Sequence, residues 1–369
     1  MNYTAKAVLS RALNAPVVVE TITVHGPQRN EVTVKLGACG VCHSDLSATN
    51  GTLPFPPPVV LGHEGAGTVV EVGEGVTEFA VGDTVLSSFV SMCGTCRYCT
   101  TGRPSLCDLA GKAIRTLPDG TVRTHDAQGQ PLSVFSGCGV MAEYATLHVG
   151  NVVKVDAHGV KLECCALISC GVATGWGAAV NTAKVQPGSV CVVIGAGGVG
   201  LNAIQGCAMS GATMVVAVDM NDVKLDTAKA FGATHVFNAT GVEDVVRALR
   251  KLTGGGADYA FECVGSGTLV AQAYGCLRKG GTAVVVGVAK ASDMSSVRTN
   301  TLTFEEKVLT GSNFGGARPR HDFPRLLGLY RAGRLKLDEL ITRRYGIDDA
   351  AQAFDDLAQG RNARGVIVF

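Results

Sequence analysis

The sequence predicts an α/β protein in two parts: a doubly wound parallel-sheet domain and a second, β-rich domain. Three observations carry this prediction. From about residue 171 the chain alternates short apolar strands with helical segments, the pattern of a parallel sheet covered on both faces. Residues 1 to about 170 are instead rich in β-branched residues, Gly and Pro. A Gly-rich turn, GAGGVG (195–200), joins the first strand of the alternating part to its first helix.

The bulk composition bounds what the chain can do. At 369 residues it is long enough for two cores. With 46% hydrophobic and 17% charged residues it is globular, neither disordered nor fibrous. A net charge of +1 gives no sign of a general nucleic-acid or acidic-membrane partner. There are 48 Gly and one Trp, which favours tight turns over an aromatic recognition surface. The opening MNYTAKAVLSRALNAPVVVE lacks the features of a signal peptide. Apolar stretches such as SVCVVIGAGGVG are short and Gly-broken, so no membrane span is expected. A cytoplasmic location is the default expectation. There, fourteen cysteines read as thiols or metal ligands, not disulfides.

The elements follow in order. VTVKLGACG, GTVVEVG and GDTVLSSFV read as short strands between turns. FPPPVV (55–60) cannot be helix interior, because Pro lacks the donor N–H and clashes with the preceding turn. SVCVVIGAG (189–197) is a buried strand with its Gly turn, and VGLNAIQGCAMSG (199–211) has helical apolar spacing. TMVVAVD (213–219) is a strand, LDTAKAFGA (225–233) a helix and HVFNA (235–239) a strand. VEDVVRALRKLTGGG (242–256) is a helix with a Gly stop. ADYAFECVG (257–265) and GTAVVVGVA (281–289) are further strands. FPRLLGLYRAGRL is helical, and GVIVF closes the chain as a strand.

The Gly turn points to a dinucleotide. Gly195, Gly197 and Gly200 have the G-x-G-x-x-G spacing, with Gly198 and Val199 between them. Gly195 permits the tight turn, Gly197 lets backbone approach a pyrophosphate, and Gly200 lets helix and strand pack closely. The helix N-terminus offers free N–H groups to the phosphates. Asp219 lies at the end of the next strand, where a carboxylate accepts hydrogen bonds from ribose hydroxyls and repels a 2′-phosphate. The following Met220, Asn221 and Asp222 include no Arg, so NAD is favoured over NADP.

Cys93, Cys96, Cys99 and Cys107 sit close together, a spacing that fits a closed tetrahedral zinc site; an iron–sulfur cluster is the competing reading. A second group is dispersed: Cys42, His43, Ser44 and Asp45 in GVCHSD, His63 and Glu64 in GHEGAG, and Cys170 in ISCGVATGWG. Two Cys and one His can hold a zinc with one open position, the arrangement that catalysis needs. A lone Cys in an apolar stretch, such as Cys170, is more often core than ligand.

The chain resembles the medium-chain zinc-dependent alcohol dehydrogenases. GVCHSD, GHEGAG, the four-Cys lobe, SCGVATG, GAGGVG and FECVG occur in that family's order over nearly the whole length. The resemblance implies a Rossmann domain at 172–313 and a GroES-like catalytic domain from 1–171 and 314–369. It assigns a structural zinc to Cys93, Cys96, Cys99 and Cys107. A catalytic zinc falls to Cys42, His63 and Cys170, with Cys39 left structural. Asp45 would hydrogen-bond His63, Glu64 would lie beside the zinc, and Ser44 would take the hydroxyl proton of the alcohol. Thr174, Val199, Val264 and Val288 would pack around the nicotinamide. Lys224 would support the ribose beside Asp219, and His43 and Arg364 would contact the pyrophosphate.

The resemblance thus implies oxidation of a primary alcohol, medium-chain or aromatic, to its aldehyde, with hydride passing to NAD. Phe89, Val288 and Asn313 match substrate-pocket positions. In the animal enzymes a His follows three residues after the relay hydroxyl; here that place is Ser47, leaving water, the cofactor ribose or His43 as the proton's exit. Cys170 stands where polyol dehydrogenases carry Glu. The rival is an S-hydroxymethyl-thiol dehydrogenase, which carries an Arg where this chain has Gly111, with Arg115 nearby but out of register. A nucleotide-binding protein without dehydrogenase activity would lack Cys42, His63 or Cys170, and all three are present. A homodimer or homotetramer is expected, joined through Rossmann sheets with GTAVVVGVA near the edge.

Overall fold

The computed structural model describes residues 1–369, and the chain divides into two compact units. One comprises Met1–Cys170 and Arg318–Phe369; the other is Gly171–Ala317.

The first unit is built on a five-stranded and a seven-stranded sheet. The hub of the larger sheet is the strand Glu31–Val41, which pairs antiparallel with Glu64–Val72, with Tyr144–His148 and with the C-terminal strand Arg364–Val368. Three distant stretches of sequence thereby lie side by side. Alternating buried positions of this hub (Val32, Val34, Leu36) enter one apolar core with Val69, Val85, Leu147 and Phe135. GDTVLSSFV is strand only over Thr84–Ser87, and residues 88–92 have no regular structure.

The second unit is a six-stranded, all-parallel sheet. Spatially the strands run His235–Asn238, Met214–Asp219, Val190–Ile194, Ala257–Glu262, Leu277–Val285 and Val308–Gly311. In chain order that is third, second, first, fourth, fifth, sixth, so the direction of winding reverses beside Val190–Ile194. Such a switch point is where doubly wound sheets bind ligands. The edge strand is Val308–Gly311, which the apolar pattern did not reveal because it is short and half exposed. GTAVVVGVA lies one strand further in.

The expectation that every apolar stretch is short needs correcting. The helical run Leu162–Ala183 is long and apolar enough to cross a membrane by length and composition. It folds as α and π segments in succession and is 89% buried within the protein. Its apolarity is that of a core helix, and the boundary between the two units falls inside it, at Cys170–Gly171.

A buried ion pair ties the long 108–140 segment to the hub strand. Arg123 Nη2 and Nε donate to the two oxygens of Glu31 at 2.6 and 2.9 Å, with both side chains nearly fully buried. Arg123→Met would keep the apolar stem but strand the carboxylate in the interior, at a cost of about 3–5 kcal/mol. Thermal unfolding is expected to drop by about 10 °C, whereas Glu31→Gln in the same background recovers part of the loss.

Candidate active site

The four-cysteine lobe comes first in the chain. Its sulfurs lie 3.5 Å (Cys93–Cys107), 3.8 Å (Cys96–Cys107) and 4.0 Å (Cys93–Cys99) apart. A tetrahedron of zinc–sulfur bonds about 2.3 Å long has edges of about 3.8 Å. A disulfide would need about 2.05 Å, and an iron–sulfur cluster spreads its cysteines over several irons. The lobe therefore fits one zinc ion. Backbone N–H groups already favour a thiolate at Cys93, where Thr95 and Cys96 donate to Sγ at 3.4 and 3.2 Å, whereas burial pushes the Cys99 and Cys107 thiols up. These bonds, led by Thr95 and against the effect of burial, pull the Cys93 thiol down to about 6.

The dispersed group also converges. Donor atoms of Cys42, His63, Glu64 and Cys170 lie within 4.8 Å of one another, and all four residues are buried. Cys42 sits at the N-cap position of the helix His43–Thr49, His63 immediately precedes the strand Glu64–Val72 that Glu64 opens, and Cys170 lies in the long helical run. Cys39 is on the hub strand, outside the group, with its sulfur turned to the carbonyl of Gly40. Asp45 is fully buried and accepts from Gly62 N at 2.9 Å. Its carboxylate is 3.2 Å from His63 Nδ1. That pairing orients the ring through Nδ1 and leaves Nε2 buried without a hydrogen-bond partner, facing the donor cluster. A donor set of two thiols and an imidazole with an orphaned nitrogen fits zinc.

The charges in this group answer one another. The bond from Cys170 pulls the Cys42 thiol well below its ordinary range, with His63 assisting against burial. The same bond, with burial, pushes Cys170 up. Burial would lower His63, but the charges of Asp45 and Cys42 outweigh it and hold the imidazole well above its usual value. Burial also pushes Glu64 up to about 7, with Arg364 opposing. Arg364, itself buried, pairs with Glu64 Oε2. The pair closes across Gly40, where a Cβ would stand 2.1 Å from Glu64 Oε2 and 3.2 Å from Arg364 Nη2. Sequence reading placed Arg364 at a phosphate and did not foresee this ion pair. Its only signal was a glycine near the end of a strand.

Around His63 stand two rings, Phe89 at 5.7 Å and Phe135 at 5.2 Å between centroids, both edge to face. Phe55 packs on Phe135 at 4.4 Å. Ser44 is half buried, its Oγ 3.8 Å from Cys42 Sγ. His43 is exposed at the first turn of its helix.

In the second unit the Gly-rich turn has the shape a dinucleotide needs. Gly195 has φ +95°. A Cβ on Gly200 would lie 1.7 Å from the Gly195 carbonyl oxygen, so only glycine lets the helix Gly198–Met209 start so close to the strand. A Cβ on Gly197 would meet nothing within 4 Å, which leaves its backbone open to a ligand. Asp219 accepts from Ala196 N at 2.9 Å and from Met220 N and Asn221 N, so the carboxylate sits against the turn. Lys224 is half buried on the next helix, Asp222–Ala230. Thr174 is buried with an unpartnered Oγ1, one residue before Gly175, whose Cβ would touch the Val199 carbonyl oxygen at 2.1 Å. Val264 and Val288 are more than half exposed, and Asn313 is exposed. Sequence reading gave Glu262 no role, although a carboxylate at the end of an apolar strand is conspicuous. It is buried, and Oε1 accepts from Val264 N and Gly265 N at 2.8 and 2.7 Å, fixing the turn that carries Val264.

A dinucleotide turn in one unit and a metal-ligand cluster in the other define a metal-dependent nicotinamide dehydrogenase. Comparisons make the class specific. The alcohol dehydrogenase GroES-like domain family matches residues 28–157, and the zinc-binding dehydrogenase family matches 198–332. The chain is 41% identical to an NDMA-dependent alcohol dehydrogenase of Amycolatopsis methanolica over 98% of both chains. It is 37% identical to an S-(hydroxymethyl)glutathione dehydrogenase of Paracoccus denitrificans over 99% of both. It superimposes on the crystal structure of benzyl alcohol dehydrogenase from Acinetobacter calcoaceticus with a TM-score of 0.91, at 33% identity, covering 100% of this chain and 99% of that one. The chain belongs to the medium-chain zinc-dependent alcohol dehydrogenase family. It is a zinc-dependent dehydrogenase of small-molecule alcohols.

The two glycines should separate binding from folding. Gly197→Ala is expected to weaken NADH binding about tenfold or more, read by fluorescence titration, with thermal stability nearly unchanged. Gly200→Ala is expected to lower stability sharply whether or not cofactor is present.

Proposed function

We propose that this enzyme oxidises primary alcohols carrying an aromatic or medium-length apolar group, using NAD. The observation that carries the proposal is the aromatic wall of Phe89 and Phe135 against His63. It offers an apolar, planar surface beside the ligand cluster, suited to a benzyl-like group and unfavourable to a bulky secondary alcohol. Similarity to a benzyl alcohol dehydrogenase supports the same reading.

Cys42, His63 and Cys170 hold the catalytic zinc, and the four cysteines of the lobe hold a structural one. When bound, the first zinc supplies a Lewis acid that lowers the pKa of the alcohol, and NAD accepts the hydride. The chain does the rest. Asp45 locks the His63 tautomer and orientation. Ser44, beside Cys42, hydrogen-bonds the substrate hydroxyl and takes up its proton. Next to it, exposed His43 passes that proton to solvent, in place of the histidine that Ser47 replaces. Arg364 balances Glu64, so a buried carboxylate beside the cluster does not stand uncompensated.

In the second unit the Gly195–Gly200 turn and its helix N-terminus cradle the pyrophosphate. Asp219 and Lys224 take the ribose hydroxyls, and the Asp219 carboxylate rejects a 2′-phosphate. Thr174, Val199, Val264 and Val288 line the nicotinamide, and exposed Val264 and Val288 gain cover when it binds. In the first unit, Phe89 shapes the substrate end. The half-exposed edge strand Val308–Gly311 is where a second copy adds to the sheet, giving a homodimer or a tetramer of such dimers.

One observation favours the thiol-adduct reading. Arg115 is half buried, its Nε lacks a partner, and its only side-chain bond is a long 3.4 Å contact to Ser133. It could receive the carboxylate of a thiol cofactor. A single panel decides between the two. NADH formation from benzyl and hexyl alcohol is expected to exceed that from ethanol by about tenfold or more in kcat/KM, and Phe89→Ala should erase most of the benzyl preference. Turnover of formaldehyde plus glutathione above that of benzyl alcohol would overturn the proposal in favour of the thiol adduct.

A further inference from the structure

The segment Ser88–Met92 carries Phe89 and leads directly into the zinc lobe, yet it belongs to no helix or strand. Something else must fix it. Its polar groups converge on one fully buried side chain, Asn151, in the short turn Val149–Asn151. Asn151 Nδ2 donates to the Ser88 carbonyl at 2.8 Å, and weakly to Cys138 Sγ at 3.9 Å. Asn151 Oδ1 accepts from Ser91 Oγ at 2.6 Å. The backbone adds Ser88 N to the Asn151 carbonyl at 2.8 Å and Met92 N to the Gly150 carbonyl at 2.9 Å. Ser88 and Ser91 are themselves buried, so these groups have no water to fall back on.

The geometry is that of a clamp on both sides of one residue. Asn151 holds Ser88 before Phe89 and Ser91 after it. At the near end, Ser87 Oγ donates to the His63 carbonyl and accepts from Gly65 N, both at 2.7 Å, which ties the same segment to the backbone of a ligand residue. At the far end, Cys93 N donates to Cys107 Sγ at 3.3 Å. Cys138 Sγ also donates to the Ser88 carbonyl, at 3.5 Å; the side-chain amide of Asn151 bonds on both sides of Phe89. Neither Asn151 nor Ser91 touches the metal-ligand atoms.

We infer that Asn151 is a positioning residue for substrate choice: through Ser88 and Ser91 it sets how far Phe89 stands from His63 and so the width of the site. The inference rests on the reading of Phe89 as a pocket wall. It assigns a role in specificity to a residue remote from the chemistry, and it makes Ser91 its partner.

The test uses the full-length, zinc-loaded enzyme with Asn151→Ala, and Ser91→Ala as the milder change that removes a single hydrogen bond. Two quantities are read: the ratio of kcat/KM for benzyl alcohol to that for ethanol, and amide hydrogen exchange in a peptide covering residues 86–93. The ratio is expected to fall about tenfold in Asn151→Ala and about threefold in Ser91→Ala, mainly through KM for benzyl alcohol, with zinc retained at two per chain. Exchange at 88–92 should rise about tenfold while the hub strand is unaffected. Ser91→Thr, which keeps the hydroxyl, should restore the ratio. If Asn151→Ala does not fold, Ser91→Ala decides alone. An unchanged ratio, or an equal loss for both alcohols, overturns the inference even if exchange rises. If the unsubstituted enzyme oxidises neither alcohol, the pocket reading itself has failed, and with it the claim on specificity; unchanged exchange at 88–92 would separately show that Asn151 does not hold the segment.

Discussion

The structure of the first unit is organised by the need to bury several ionisable donors within 4.8 Å of one another. Burial penalises every charge in such a group, and like charges penalise one another. The fold answers with partners placed from separate strands. Asp45 faces His63, Arg364 faces Glu64, and Gly62 N–H holds Asp45. These contacts require that residues near 40, 64 and 364 be neighbours, which the hub strand Glu31–Val41 achieves by pairing with both Glu64–Val72 and Arg364–Val368. Gly40, in that hub, leaves the gap through which the ion pair closes. The sheet exists in this register or the buried carboxylate loses its counter-charge.

The second unit obeys a different constraint, the distance between backbone atoms. Its chemistry is delivered by main-chain N–H groups at a helix start, so side chains must be absent where the helix meets the strand and where a phosphate approaches. Gly200 meets the first requirement and Gly197 the second. Buried Glu262 and half-buried Asp219 then brace the neighbouring turns through backbone N–H groups.

Much of this was legible in the chain, for identifiable reasons. The Gly turn, Asp219 and the strand–helix alternation are local patterns, and local patterns survive without coordinates. The four-Cys spacing is local too. The convergence of Cys42, His63 and Cys170 is not, and it was readable only through resemblance; the geometry brings those residues together and leaves Cys39 out. What stayed hidden depends on contacts between distant residues. Arg364 with Glu64 spans 300 positions, and Asn151 reaches back to Ser88 and Ser91. The length of the apolar run Leu162–Ala183 was passed over because Gly171, Gly175 and Gly177 interrupt it, yet the helix continues through them. The edge strand Val308–Gly311 was missed because four half-exposed residues give no periodic signal.

The central claim is that one chain holds two zinc ions in unlike donor sets, one closed by four thiolates and one formed by Cys42, His63 and Cys170. Zinc K-edge X-ray absorption on protein purified with its metal tests it most directly. Averaged over both ions, the account predicts three sulfur neighbours and one nitrogen or oxygen neighbour per zinc, with sulfur at about 2.3 Å. Cys170→Ser should lower the sulfur count without touching the lobe. An all-sulfur first shell, or a single zinc per chain in active enzyme, would contradict the account.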